Sequence, residues 1–160
     1  MTTLTPAKML AFTTEMAERM ESMKRKAVFV GLPNEKVGGK VYGNGMTVIQ
    51  IGAIHEYGVP VVGIVQRSFL RTPFATKRKE LNQATAAEFE AVANGKRDVD
   101  VGLGRIGVAA TNVSKGAFTS LGYGEWKPDT TQTIRRKGSS QTLIDTGILR
   151  SSITWVVRNG

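Results

Sequence analysis

Between Met9 and Ala27 the apolar positions Met9, Phe12, Met16, Met20, Met23 and Ala27 fall three or four residues apart. That spacing draws one stripe along an amphipathic helix. Thr5 and Pro6 ahead of it offer a capping hydroxyl and a proline for the first turn. A methionine-rich stripe suits an adaptable partner surface or a plain core face, and the amphipathic pattern favours the core face. Residues 27–32 then read as a strand, and 33–45 as a loop with four glycines and a tight-turn signal at Asn44 and Gly45. Residues 46–51 read as a second strand, with Met46, Val48 and Gln50 on one face and Thr47, Ile49 and Ile51 on the other. Together the two strands predict a long-looped hairpin.

Residues 53–58 predict one helical turn closed by Gly58. Arg71, Thr72 and Pro73 repeat the opening signal of the first helix, and Phe74, Leu81, Ala84, Ala87 and Val92 line a second helix to about Ala93. Asp98 caps a third, in which Leu103, Ile106, Ala110, Val113, Ala117 and Leu121 keep helical spacing until Gly122 and Gly124 stop it. A loop over 125–141, a turn with a short helix over 143–151 and a β-branched strand at 153–157 complete the chain. The order α-β-β-α-α-β is not a βαβ repeat. It predicts a single α+β domain over residues 1–160, a small and mainly antiparallel sheet with about three amphipathic helices packed on one side. The flexible segments fall near 33–45 and 125–141.

Composition narrows the chemistry. A chain of 160 residues suits one domain. It has no cysteine and one histidine, which removes disulfides, thiol nucleophiles, Cys-type zinc sites and multi-His metal sites. No apolar stretch reaches the roughly 20 residues of a membrane span, and the first residues carry no secretion signal. The net charge is +9, which bears on partners rather than fold. Its densest groups are Lys24-Arg25-Lys26, Lys77-Arg78-Lys79 and Arg135-Arg136-Lys137. Each is short enough to be a solvated face; a nucleic acid or an acidic protein surface is the alternative.

Two motifs tempt and lack their context. Gly102, Gly104 and Gly107 match G-x-G-x-x-G, but only residues 98–101 precede them, with Asp98 and Asp100 ill suited to a buried strand. A dinucleotide fingerprint needs a full βαβ unit; a helix packed closely on a neighbour explains the glycines instead. His55 and Glu56 open an H-E-x-x-H pattern, yet position 59 is valine, so the second metal ligand is missing. A Ser/His/Asp triad drawn from His55, Ser114 and Asp145 has no support in spacing, since Ser68 or Ser139 would serve equally. No catalytic residue, cofactor site or metal site is expected.

Two blocks are more specific. Residues 51–58, with Ala53, His55, Glu56, Tyr57 and Gly58, are followed by Gln66, Arg67, Ser68, Phe69, Leu70 and Arg71. They resemble the pattern A-x-x-H-E-x-G … I-P-x-R-P-F-L-R of phage tail-completion and virion-morphogenesis proteins. Trp126, Lys127 and Pro128, then Lys137 and Gly138, then residues 143–153 with Asp145, Thr146, Gly147 and Leu149 are similar to that family's closing W-x-P-L … K-G … P-L-I-D-T-G-x-L-x-x-S-I. The sequence departs from these patterns at Gln66 and Ser68, at Asp129 and at Thr142, without removing a chemical group.

Both blocks also have a local physical reading. Asp145, Thr146 and Gly147 form a turn or helix cap, and Leu149 with Ile153 anchors the short helix and the final strand in the core. His55, Glu56 and Tyr57 brace the 66–71 loop, where Phe69 buries while Arg67 and Arg71 offer bidentate contacts.

The resemblance implies a non-enzymatic virion protein, assembled in the host cytoplasm, that completes the tail and joins it to the head. It implies a ring of identical copies, commonly six, touching tail-tube, terminator or head-connector proteins. Lys24, Arg25, Lys26, Arg135, Arg136 and Lys137 would face DNA in the lumen or an acidic partner. A tail terminator capping the tube is the nearest alternative, and a free nucleic-acid-binding protein or an enzyme centred on His55 the more distant ones.

Overall fold

The computed structural model describes residues 5–128, 131, 135 and 147–160. Among them, seven helices and one two-stranded antiparallel sheet form an α+β fold, as the element pattern predicts. Helix α1 (Pro6–Lys24) begins at its proline, with Thr5 extended but making no side-chain cap bond. Strand β1 (Lys26–Gly31) comes next. Its partner is the far end of the chain: β2 (Thr154–Asn159) pairs with it from Lys26↔Asn159 to Gly31↔Thr154.

The predicted hairpin with residues 46–51 is not formed. Those residues enter helix α3 (Val48–Tyr57) instead. Thr47 and Gln50 make a capping box: the Gln50 amide N–H donates to Thr47 Oγ1 at 3.2 Å, and the Thr47 amide N–H donates to Gln50 Oε1 at 2.9 Å. The β-branched run of Thr47, Val48 and Ile49 suggests a strand. A T-x-x-Q start signal settles the local conformation the other way, and Val48, Gly52 and Glu56 become one buried stripe at i, i+4 and i+8. The turn predicted at 53–58 is the end of this helix, closed by Gly58 at φ 71°.

The glycine-rich stretch before α3 carries structure of its own. Helix α2 (Asn34–Val37) lies there, and an isolated bridge joins Val41 to Thr47. Lys36 Nζ donates to the Trp155 carbonyl at 2.7 Å, and Arg158 pairs with Glu35 at 2.7 Å, so α2 is fastened to β2. The Arg158 hydrogen bond holds the Glu35 carboxyl below its ordinary pKa.

The expected second helix is two: α4 (Arg71–Thr76) and α5 (Arg78–Ala93), broken at Lys77. Helix α6 (Val99–Gly116) starts where expected, with the Asp98 carboxylate accepting from the Asp100 amide N–H at 2.8 Å. Helix α7 (Ile148–Ser152) leads into β2. Residues 143–146 and most of the predicted 125–141 loop lie outside the described residues.

Helix α6 packs against both strands and against α5 and α1. One core joins Met23, Val92 and Leu103 from α1, α5 and α6. A larger one gathers Val37, Val48, Phe69, Ala117, Phe118, Trp126, Leu149 and Ile153. The methionine stripe of α1 divides: Met23 is buried and Met16 and Met20 are partly so, whereas Met9 and Phe12 stand exposed. Only its second half is a core face.

The G-x-G-x-x-G glycines are packing residues. A Cβ on Gly107 would stand 2.5 Å from the Trp155 ring, one on Gly104 3.2 Å from the same ring, and one on Gly102 2.7 Å from Val92. The indole of β2 thus lies on the glycine face of α6. Gly107→Ala should therefore destabilise the domain by about 1–2 kcal/mol in urea unfolding, because overpacking of about 1–3 kcal/mol outweighs the roughly 1 kcal/mol gain in helix propensity. Gly104→Ala, with more room, should be close to neutral.

Candidate functional site

The residues of the first family-like block meet at one corner, organised by Glu56. Its side chain is buried at the inner face of α3. One carboxylate oxygen accepts from Ser68 Oγ at 2.7 Å, from the Arg71 amide N–H at 3.2 Å and from Arg71 Nε at 2.9 Å. The other accepts from the amide N–H groups of Phe69 at 2.9 Å and Leu70 at 3.1 Å. Three successive N–H groups that enter α4 would otherwise be buried donors, and a carboxylate at a helix start is their natural acceptor. The Glu56 carbonyl accepts from Gln66 Nε2 and Arg71 Nη2, and the His55 carbonyl from the Arg67 amide N–H. Gly58 lets the chain turn back at this point: a Cβ there would be 2.7 Å from the Gln66 nitrogen.

The bracing expected of His55, Glu56 and Tyr57 is therefore present, and Glu56 provides most of it. Tyr57 lies outside, its ring 4.6 Å from the Arg71 guanidinium. Phe69 is buried as expected, in a row with Phe118 and Trp126 whose ring centroids are 5.8 and 5.7 Å apart.

Trp126, from the second block, joins the first block directly. Its Nε1–H donates to the Ser68 carbonyl at 3.1 Å, and Arg67 Nη2 reaches the Lys127 carbonyl at 3.4 Å. Ser114 Oγ donates to the Phe69 carbonyl at 2.7 Å from a fully buried position. Leu149 sits in the same core, and Gly147 opens α7 at φ 74°. Asp145, Thr146, Arg136 and Lys137 lie outside the described residues.

Trp126 is delivered by an uncommon turn. Leu121, Gly122, Tyr123 and Gly124 all have positive φ, at 50°, 66°, 59° and 92°. For Leu and Tyr this conformation costs about 1–2 kcal/mol each. Specific bonds hold it: the Trp126 amide N–H donates to the Leu121 carbonyl at 2.8 Å, and Tyr123 OH donates to the Val113 carbonyl at 2.9 Å. Burial pushes the Tyr123 hydroxyl above its ordinary pKa. Gly122 is required twice over, by its φ and because a Cβ would strike the Trp126 indole. The sequence signals only a helix stop here. Nothing in its spacing points to Ser114, Gln66 or the left-handed run.

The 24–26 triplet lies at the surface, with Lys24 and Arg25 largely exposed. Lys24 and Arg25 lie within 3.8 and 3.6 Å of Glu21, and Lys26 pairs with Asp100. Arg97 and Arg105 enclose Glu88 at 2.7 and 2.8 Å. At the Glu56 corner, Arg71 pairs with Glu56 at 2.9 Å, Arg67 reaches the Lys127 carbonyl, and Lys77, following α4, pairs with Glu80 at 2.7 Å. A hydrogen bond to Glu80 raises the pKa of Lys77, whose ammonium also lies 5.1 Å from the Tyr123 ring centroid. Arg135 is exposed.

Chemically, the Glu56 carboxylate and the Ser68 hydroxyl are satisfied groups. The acceptor capacity of Glu56 is taken up by five donors, and Ser68 Oγ, besides donating to Glu56, accepts from the Thr72 amide N–H at 3.0 Å. Among the described residues no group of three or more His, Asp or Glu is placed to hold a metal ion, and no helix is long and apolar enough to cross a membrane. Comparison with protein-family models, with curated proteins and with solved structures finds no match for this chain.

Proposed function

We propose that this chain is a structural subunit of a tailed-phage particle, a tail-completion or head–tail joining protein that acts as a ring of identical copies without catalysis. One observation carries most of the support. The two blocks on which the family resemblance rests are distant in sequence, yet Trp126 bonds to Ser68 and stacks in one row with Phe118 and Phe69. A pattern whose members build one rigid corner is what a shape-dependent assembly protein needs, because rings close only when each subunit repeats the same angle. The corner offers a reacting substrate no free carboxylate at Glu56 and no free hydroxyl at Ser68. The cations beside it suit an acidic neighbour or DNA phosphates contacted without sequence reading, and the ion-paired 24–26 triplet suits them less.

The test is to assemble particles without this protein and view them by negative-stain microscopy. Full heads beside complete but unattached tails are expected. Tails of abnormal length would shift the role to tail termination, and normally joined particles would reject the assembly role.

A further inference from the structure

We infer that the surface built from α2, the loop after it, α7 and the end of α6 is where this chain lies against double-stranded DNA, through Lys36, Lys40, Lys115 and Arg150. The inference names a surface for DNA contact and rests on the phage-particle reading for where that DNA comes from. Its test uses purified chain and needs no particle, so the two can fail separately.

Unpaired charge is the first observation. Segments 31–55, 106–124 and 147–160 carry five cations, Lys36, Lys40, Lys115, Arg150 and Arg158, and one carboxylate, Glu35. They hold +4 of the chain's +9. Segments 6–30 and 78–105, by contrast, hold ten cations and eight carboxylates. Glu35 is taken by Arg158 at 2.7 Å. Among the described residues no carboxylate pairs with the other four cations, and three of them rest on neutral acceptors. Lys36 Nζ donates to the Trp155 carbonyl, Lys40 Nζ to Ser152 Oγ at 3.4 Å and Arg150 Nε to the Lys115 carbonyl at 3.3 Å. Each keeps its full charge and has N–H donors to spare.

The same bonds place these cations on one arc. Arg150 reaches back to Lys115 at the end of α6, and Lys40 lies against Ser152, two residues beyond Arg150. Lys36, four residues before Lys40, lies against Trp155, three beyond Ser152. Lys36, Lys40 and Arg150 are exposed and Lys115 is half-buried. The arc is firm: the Lys40 amide N–H donates to the Val37 carbonyl at 3.0 Å, and Val37 and Leu149 sit in the larger core beneath it.

Between the cations the surface is small and polar. Asn34, Gly39, Asn44 and Ser151 are exposed, and a Cβ built on Gly39, Gly43 or Gly45 would meet nothing within 4 Å. Amides, hydroxyls and open backbone are, with Lys and Arg, the groups that contact phosphates. An acidic protein would call for an apolar centre to the patch, more than Val41 beside Lys40 supplies. A single strand would call for free rings on which its bases could stack. Trp155 instead faces the α6 glycines, and Phe29 lies under the Arg158 guanidinium at 5.3 Å. A duplex needs neither feature, and it offers a phosphate charge about every 1.7 Å along its axis.

Fluorescence anisotropy of a short random-sequence DNA duplex, titrated with the purified full chain, is the test. Each phosphate neutralised adds about −0.9 to the slope of log K against log salt, so four cations give a slope of about −3.6. Binding should then weaken about a hundredfold between about 50 and 200 mM salt. Lys40→Gln and Arg150→Gln should each make the slope shallower by about 0.9. The combined variant K36Q/K40Q/K115Q/R150Q, checked for a cooperative urea transition, should bind about tenfold more weakly or worse at low salt. K8Q/K24Q/R25Q/K96Q, which removes the same net charge from other surfaces, should bind as wild type does. Equal weakening of the two combined variants would reduce the effect to net charge, and wild-type binding by the first would put DNA on another surface; either result overturns the inference. So would a wild type that leaves the duplex free at low salt, or one that binds a single strand of the same length more tightly. Binding to poly-L-glutamate as tight as to the duplex would give the arc to an acidic protein and overturn it too.

Discussion

Glu56→Ala is expected to lower unfolding free energy by about 4 kcal/mol, the largest effect of any polar substitution among the described residues. The amide N–H groups of Phe69, Leu70 and Arg71 and the Ser68 hydroxyl would lose their common acceptor, and each buried donor left without a partner costs about 1–3 kcal/mol. Water entering the vacated space recovers part of that sum. Glu56→Gln retains one acceptor oxygen but turns an amide donor toward N–H groups, so about half the loss is expected. Arg71→Met should cost only about 1 kcal/mol, since its side chain is 56% exposed and the ion pair is screened by solvent. Urea midpoints with an unchanged slope would measure all three. A loss below about 1 kcal/mol for Glu56→Ala, the least expected from even one orphaned donor, would show that the corner holds without its carboxylate.

The second large effect belongs to Trp126. Trp126→Ala should cost about 3–5 kcal/mol, as for other buried aromatic truncations. It removes the edge-on contact with Phe118 and the bond to the Ser68 carbonyl. Trp126→Phe should cost about 1–2 kcal/mol, retaining most of the packing but leaving that carbonyl unpaired. A further readout separates the turn from the core. With the indole gone, the left-handed turn keeps its Trp126 amide and Tyr123 hydroxyl bonds but loses the ring packed on Gly122, so the amides of Gly122 and Gly124 should exchange with solvent faster than in the wild type. Equal protection in the variant would mean that the turn is held by its backbone bonds alone.

The helices α1, α5 and α6 and the final strand are legible in the sequence because their periods are long and unbroken. The mismatch at residues 46–51 has a definite physical cause. The β-branched side chains at 47–49 carry strand propensity, but Thr47 and Gln50, three residues apart, form a helix start signal that outweighs it. Glu56 reads as a brace, and that is its role, but the number of N–H groups it collects depends on the 66–71 loop folding back against it. That return rests on Gly58 and on bonds from Gln66 and Ser114, residues with no distinguishing spacing. The charge distribution is illegible for a related reason: the partners of Lys26, Arg97 and Arg105 lie far along the chain or across a helix pair. The α1 stripe shows the limit of periodicity itself, which fixes the face of a helix but not how much of that face the rest of the chain can reach.

The pairing of Lys26 with Asn159 makes the order of synthesis matter. A nascent chain on the ribosome displays β1 and its Phe29 long before β2 exists, and α6 emerges with the glycine face that Trp155 will cover still bare. The helices can gather early through their local contacts, but the sheet waits for residues 154–159 to leave the exit tunnel. Chains released before residue 154 would carry an unpaired strand edge, the kind of surface that seeds aggregation. Closure of the sheet thus waits on residues 154–159, which follow every described helix in the chain.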